Sequence, residues 1–217
     1  MQPTLRLYED VLANETDVAL PALPRLIFVV HGTVTVADRT LRDEEAFSSE
    51  SALHCKAGSS GATLWRWEAA ANESSGVAVG PDIGSREKLS ARLDTLPKGP
   101  LILRGDAVTF PPGGCAYLHR HQGPGIRCLV DGGIRIDTHG RSTSYGPGGA
   151  WYESGPDPVF AQAADRPTRF IRVMLLPLAY LGKSSLEYLR DEDKPKPKTQ
   201  IYKLYTDMPI ARLYSTA

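Results

Sequence analysis

Short apolar runs separated by glycine and proline are the feature that most constrains how this chain can fold. Glycine occurs 20 times and proline 17 times in the 217 residues. Regularly spaced short strands bounded by turn residues are typical of all-β sandwiches and barrels. The runs that predict strands are LIFVV, TVTVA, ATLWRW, LIL, IRCLV, IRIDT, PVFAQA, RFIRVMLLP and IYKLYT.

Two segments depart from this strand rhythm. Apolar residues recur at helical spacing in SREKLSARLDTL (Ser85–Leu96) and in PLAYLGKSSLEYLRDED (Pro177–Asp193), which predicts a short helix in each. The following stretch, DKPKPKTQ at residues 193–200, combines charges with prolines. It is interpreted as a solvated, stiffened linker before the last strand.

Charge and cysteine content bear on partners and compartment. Lys plus Arg equals Asp plus Glu at 25 each, so nucleic acid and anionic membrane are not expected partners. No apolar run approaches the roughly 20 residues that span a bilayer, and the polar N-terminus does not read as a signal peptide. Cys55, Cys115 and Cys128 are too few for a disulfide framework. We expect a cytoplasmic protein; a secreted form with one bridge and a spare thiol is the alternative.

Three pairs of segments resemble one another in the same order and at a nearly constant offset. Such self-similarity predicts two copies of one β unit, joined by residues 69–100; coincidence among β-rich segments is the alternative. The pairs are Val29–Val36 with Leu129–Ile136, Glu44–Ser51 with Gly148–Gly155, and Thr63–Trp67 with Arg169–Val173.

The stretch CAYLHRH, Cys115–His121, places two histidines two residues apart. Side chains at i and i+2 of a strand point to the same face, so Tyr117, His119 and His121 should share one face with Cys115. Two imidazoles on one strand supply half of a metal site. The alternatives are histidines that bind substrate without metal, and ordinary strand histidines.

The surroundings of this pair resemble the cupin superfamily. The first cupin motif fits Gly113, His119, His121 and Gly132 in register, and the second fits the proline-glycine turn of residues 146–163. With the internal repeat, the chain resembles a bicupin. This resemblance implies an all-β fold of two cupin-like (double-stranded β-helix or jelly-roll) barrels.

The same resemblance suggests a domain division. The first barrel, which lacks a His-x-His pair in its first motif, is degenerate. The predicted domains are a degenerate barrel at 1–80, a connection at 81–100, a C-terminal barrel with the site at 101–180, and a helix, linker and final strand at 181–217.

The chain departs from the cupin ligand pattern at two positions. The motif glutamate falls on Gly125 and the second-motif histidine on Val159. Glu153 is the nearest carboxylate that could substitute. A set of His119, His121 and Glu153 resembles a 2-His-1-carboxylate triad, which suits a divalent ion such as Fe, Mn, Ni or Zn.

Three further residues are predicted to bind substrate. Arg127 has inward parity if it follows Gly125, and a buried guanidinium needs an anion, either Glu153 or the acid group of a ligand. The alternative is that Gly-Pro-Gly shifts the register and leaves Arg127 solvated. Tyr117, on the histidine face, and Gln122, beside His121, complete the set.

The resemblance implies a range of activities rather than one. The first reading is a metal-binding protein that acts on a small, anionic molecule in the C-terminal barrel, as a dioxygenase or isomerase. The second is a non-catalytic bicupin that binds a small metabolite without metal, and the third is an interaction protein. A homodimer is compatible with each.

Overall fold

The computed structural model describes residues 2–71, 76–211 and 213. It is built from antiparallel strands, and the all-β prediction is confirmed. The chain divides into two units, Met1–Leu93 with Ile210–Ala217, and Asp94–Pro209. Sequence reasoning placed a connection at 81–100, and the division falls between Leu93 and Asp94. Among the described residues, no helix is long and apolar enough to cross a bilayer.

The N-terminal unit contains one seven-stranded sheet. Its path is β4-β3-β6-β1-β7, with β2 paired to β6 and β5 paired to β3. The long strands β3 and β6 carry the apolar residues of its core, among them Ile27, Val29 and Leu64. The strands are β1 (Thr4–Leu12), β2 (Asp17–Leu20), β3 (Arg25–Val36), β4 (Arg39–Leu41), β5 (Ala46–Ser49), β6 (Leu53–Ala70) and β7 (Ile83–Arg92).

The C-terminal unit contains two five-stranded sheets. Their orders are β13-β10-β15-β8-β17 and β12-β11-β14-β9-β16. One apolar cluster joins Phe110, Leu129 and Phe170 of the first sheet to Ile136 and Ala161 of the second, so the sheets pack face to face. The strands are β8 (Leu101–Phe110), β9 (Cys115–His121), β10 (Gly125–Asp131), β11 (Ile134–Thr138), β12 (Arg141–Tyr145), β13 (Ala150–Glu153), β14 (Val159–Ala163), β15 (Thr168–Pro177), β16 (Leu186–Tyr188) and β17 (Ile201–Ile210).

Strand pairing repeats between the two units. In the first, β3 pairs with β5, β4 and β6; in the second, β10 pairs with β13 and β15, and β11 with β12 and β14. Gly32 (φ 89°) and Gly132 (φ 84°) occupy matching bends. A Cβ there would lie 2.3 Å from the Gly61 oxygen and 2.4 Å from the Pro167 oxygen, so both bends require glycine.

Both predicted helices are wrong. Ser85–Leu96 lies largely in β7, which pairs with β1 over its whole length. Arg86 and Lys88 reach Glu9 across this ladder at 2.6 and 3.1 Å, so cross-strand pairing overrides the helical spacing. Pro177–Asp193 contains only two single-turn 3₁₀ helices, Leu178–Tyr180 and Asp191–Asp193, around β16.

Candidate functional site

An irregularity in β9 lets Ala116 and the two histidines face the same side of the strand. His119 lies opposite Val159, and Ala116 lies opposite Ala161, so one more residue separates the pair on β9 than on β14. This is a β-bulge, which changes the parity of the side chains on the strand. Ala116, His119 and His121 therefore all face the interior between the sheets, and both histidines are 4% exposed.

Glu153 joins the histidines from another strand. It ends β13 and lies opposite Gly125 of β10. One nitrogen of each imidazole and one carboxylate oxygen lie within 4.8 Å of one another. The imidazole centroids are 4.9 Å apart in an edge-on arrangement, and His121 Nε2 is 3.5 Å from Glu153 Oε2.

Hydrogen bonds fix the orientation of these three side chains. His119 Nδ1 lies 2.7 Å from the Tyr117 carbonyl oxygen, which can only accept, so Nδ1 carries the proton and Nε2 keeps its lone pair. His121 Nδ1 lies 3.4 Å from Ser185 Oγ. Trp151 Nε1 donates to Glu153 Oε1 at 2.9 Å. Ligands oriented through their second nitrogen or oxygen are typical of metal sites.

Two guanidinium groups border the cluster. Arg127, 1% exposed, has inward parity as the sequence predicts, and its Nη2 lies 2.7 Å from Glu153 Oε2. Its Nη1 donates to the Gly125 carbonyl at 2.7 Å. Arg172 makes two bonds to Asp106, at 2.9 and 2.7 Å. Both buried arginines therefore have carboxylate partners, as low-dielectric surroundings require.

Burial sets the protonation states of the cluster. Desolvation lowers the pKa of His119, an effect that Glu153 partly offsets. Desolvation, together with His119 and both arginines, holds the pKa of His121 well below its usual value. Both imidazoles are neutral at neutral pH, the form that binds metals. Desolvation lowers the pKa of Arg127 to about 10, so it stays charged.

The cluster borders a cavity of about 20 Å³, which we call the inner cavity. This is room for one water molecule or one ion. Two neutral imidazoles and a carboxylate are a donor set that a divalent transition metal accepts. The residues fit such an ion, although Arg127 already contacts the carboxylate oxygen that faces His121. Apolar side chains wall the cavity: Val108, Phe110, Ile136 and Phe170.

Tyr117 and Gln122 lie elsewhere. The predicted shared face of Tyr117 with the histidines is wrong, because the bulge turns its ring toward Lys196 and Lys198, at 4.8 and 5.5 Å. The Gln122 amide donates to Glu187 Oε2 at 3.2 Å, beside the exposed Arg120–Glu187 ion pair. Tyr117 contributes to the site through its carbonyl oxygen. Their assignment to substrate binding stays a prediction.

Sequence reasoning missed three residues of the site. Arg172 lies between the apolar residues Ile171 and Val173, and an arginine flanked in this way was a usable signal. Trp151 has no motif signal of its role, which is to hold Glu153 through its indole nitrogen. Ser185 gave no local signal, because it lies in the segment with helical spacing.

No protein-family model and no curated protein matches the chain. Solved structures do. Oxalate decarboxylase from Bacillus subtilis matches with a TM-score of 0.62 at 12% identity, over 90% of this chain and 73% of that one. Salicylate 1,2-dioxygenase from Pseudaminobacter salicylatoxidans gives 0.56 at 9%, over 79% and 70%. A cupin 2 conserved barrel domain protein from Leptotrichia buccalis gives 0.50 at 11%, over 80% and 84%.

The fold is that of the cupins. Matches at such identities concern the arrangement of strands, and a cupin fold hosts many activities. The chemistry of the C-terminal unit therefore depends on its cluster of two histidines, one glutamate and two arginines.

Proposed function

We propose that the C-terminal unit binds a divalent metal ion through His119, His121 and Glu153, and that it acts on a small anionic molecule in the same unit. The observation that carries this proposal is the convergence of three buried ligand atoms within 4.8 Å of one another. Iron suits a 2-His-1-carboxylate set best; manganese, nickel and zinc are the other candidates.

Each residue has a separate task in this proposal. His119 offers its Nε2 lone pair, because its Nδ1 donates to a carbonyl oxygen, and His121 turns its Nε2 toward Glu153. Glu153 supplies the carboxylate, held by Trp151 through its other oxygen. A bound ion would supply Lewis acidity to a coordinated ligand. The apolar walls of the inner cavity lower the local dielectric constant and so strengthen each of these interactions.

The anionic character of the ligand is inferred from the two arginines. Arg127 and Arg172 both line the inner cavity. Glu153 would have to neutralise Arg127 and also bind the ion. An ion that draws on Glu153 would leave the cavity with excess positive charge, which an acidic ligand would balance. A dioxygenase or an isomerase reaction on such a ligand is compatible with the triad.

We also propose that the chain is a bicupin whose N-terminal unit has lost its site. Strand pairing repeats between the units, but the strand of the first that corresponds to β9 is the four-residue β2, which carries no histidine. The protein is proposed to act in the cytoplasm, since its three cysteines, all among the described residues, form no disulfide. A homodimer stays a prediction.

The second candidate function is metabolite binding without metal. It is favoured by the contact of 2.7 Å between Arg127 and Glu153, which neutralises the buried carboxylate without an ion. In that case the histidines would be hydrogen-bonding groups of a ligand pocket.

Metal analysis of two double variants separates these functions. The protein, His119→Ala/His121→Ala, and the control His31→Ala/His54→Ala would each be stripped of metal and titrated with Co²⁺, followed by visible absorption. His31 and His54 are suitable controls because their side chains are 79% and 72% exposed. We expect one bound ion in the protein and the control and none in the site variant. Equal uptake by all three would refute the metal function.

A further inference from the structure

A second, larger chamber lies beside the inner cavity in the C-terminal unit. This outer chamber has a volume of about 270 Å³ and is bounded by β17 and by residues 182–186. Its base holds the ion pairs Arg172–Asp106 and Arg104–Asp207, each with a contact of 2.7 Å. Three side chains, Arg172, Leu186 and Tyr202, border both spaces.

The walls of the outer chamber are apolar on one side. Tyr202 and Leu204 of β17 are 47% and 56% exposed, and Leu186 of β16 lies in the same lining. Large apolar side chains that line a concave surface and stay exposed are typical of ligand sites. A dry cavity of roughly 150 Å³ accepts benzene, so the outer chamber has room for one substituted ring or a branched chain of similar size.

The charge of the outer chamber is positive by one. It is lined by the cations Arg104, Arg172 and Lys183 and by the anions Asp106 and Asp207. Each arginine is held by one of the aspartates through two bonds. Lys183 is exposed, and among the described residues no carboxylate forms an ion pair with its ammonium group. The uncompensated charge therefore lies at Lys183.

We propose that the outer chamber binds a monoanion with an apolar body of about the size of one ring. The body lies against Leu186, Tyr202 and Leu204, and Lys183 binds the oxyanion. Tyr202 separates the outer chamber from the inner cavity. Its ring centroid lies 5.6 Å from the guanidinium carbon of Arg172. That the chamber supplies the inner cavity rests on the proposed function, whereas ligand binding in the chamber does not.

Calorimetric titration of the metal-free protein with three probes tests this. Benzoate has both the ring and the charge, benzyl alcohol has only the ring, and acetate has only the charge. We expect benzoate to bind about tenfold or more tightly than either analogue, because each loses one class of contact. Equal affinities for benzoate and acetate, or no binding of benzoate, would overturn the proposal.

Two variants and a matched control locate the binding. Lys183→Met should weaken benzoate about tenfold and leave benzyl alcohol unchanged, and Leu204→Ser should weaken both ring-bearing probes. Lys203→Met is the control, because Lys203 lies on the same strand but contacts the Tyr205 ring outside the chamber lining. Identical behaviour of Lys183→Met and Lys203→Met would overturn the assignment.

The same titration on His119→Ala/His121→Ala separates the two proposals. The outer chamber does not use either histidine, so benzoate should bind this variant with unchanged affinity. If the unsubstituted protein took up no metal and still bound benzoate, the proposed metal function alone would be refuted. If it took up metal and bound no benzoate, ligand binding in the outer chamber alone would be refuted.

Discussion

The two units share a strand order and differ in what their buried charges do. In the C-terminal unit, Glu153 lies opposite Gly125; in the N-terminal unit, the matching pair is Ser49 opposite Arg25. The C-terminal unit therefore presents a carboxylate to an open cavity. At the position that corresponds to Gly125, the N-terminal unit carries Arg25, whose side chain is fully buried.

The neighbouring positions show the same contrast. Arg127 lies opposite Arg172, whereas Ile27 lies opposite Arg66. Arg66 Nε is 2.6 Å from Asp10 and its Nη1 is 2.7 Å from Glu68. Glu68 also holds Arg25 at 2.9 Å. The N-terminal charges thus compensate one another in a closed network, which stabilises the unit and leaves no group for a ligand.

A small number of side chains therefore distinguishes the C-terminal unit, which has a candidate site, from the N-terminal unit, which has the same strand pairing without one. Both units keep the glycine bends and the strand pairing that the fold needs. Among the residues that the structure describes, two inward histidines on one strand occur in the C-terminal unit alone. Fold and site are therefore independent features of the chain.

The largest expected effect comes from breaking the N-terminal network. Arg66→Met leaves Asp10 and Glu68 buried with lost partners, and it should destabilise the unit by roughly 3–5 kcal/mol. Denaturant unfolding followed by tryptophan fluorescence measures this. Glu15→Gln, which removes only the exposed Lys56–Glu15 pair, should cost less than about 1 kcal/mol. Similar losses in both variants would show that the network is not structural.

The next effect concerns Glu153, whose counterpart in the N-terminal unit is Ser49. Loss of a residue that hydrogen-bonds to a metal ligand weakens metal binding roughly 10–100-fold. Glu153→Gln removes a ligand itself and should weaken Co²⁺ binding by more than that. Ser49→Ala changes the corresponding N-terminal position and should leave metal affinity unaltered. Retained affinity in Glu153→Gln would remove Glu153 from the ligand set.

The glycine bends test whether the two units are equivalent. Gly32→Ala and Gly132→Ala each combine a positive φ with a backbone clash, and each should cost about 1–3 kcal/mol of folding free energy. Gly140→Ala keeps the positive φ of 70° but has no atom within 4 Å of the new Cβ, so it should cost less. Thermal unfolding would measure all three. If Gly132→Ala left the folding free energy unchanged while Gly32→Ala lowered it, the two glycine bends would not be equivalent.

The smallest effect is the acid dependence that Glu9 contributes to the stability of the N-terminal unit. Burial raises the pKa of Glu9, but hydrogen bonds from Arg86, Trp65 and Lys88 outweigh it, so the pKa lies below its ordinary 4.5. A lowered folded-state pKa gives stability that is present above pH 4.5 and is lost as the pH falls through the folded value.

Glu9→Gln isolates that contribution. It should cost about 0.2–1 kcal/mol at pH 7, because the carboxylate is partly exposed, and the cost should vanish in acid. Equilibrium unfolding of both proteins at several pH values measures it. A cost that does not change with pH would assign the effect to packing instead.

The sequence predicts the strands better than the site. Apolar runs such as LIFVV and IRCLV fall in β3 and β10, because a strand buried on both faces needs only a short apolar run. The failures lie at sheet edges. β7 and the segment around β16 carry charges at helical spacing, and only the partner strand, distant in sequence, determines that they extend.

Only part of the site could be predicted, because some of its residues are placed by strands that are distant in sequence. His119, His121 and Arg127 were placed inward from local motifs, and all three are buried. Tyr117 was misplaced because a bulge depends on the register with β14, which no local pattern reveals. Arg172 and Ser185 reach the site through tertiary contacts with other strands.

The bulge in β9 gives the strand one residue more than a regular ladder with β14 needs. The additional residue lies between Ala116 and His119, where Leu118 is partly buried. Deleting Leu118 would leave Ala116 and His119 two residues apart, the spacing at which regular alternation places both on the inner face. The inward direction of the histidines therefore does not depend on the bulge, and the loss of one codon here would make the strand regular with every side chain of the site still encoded and still inward.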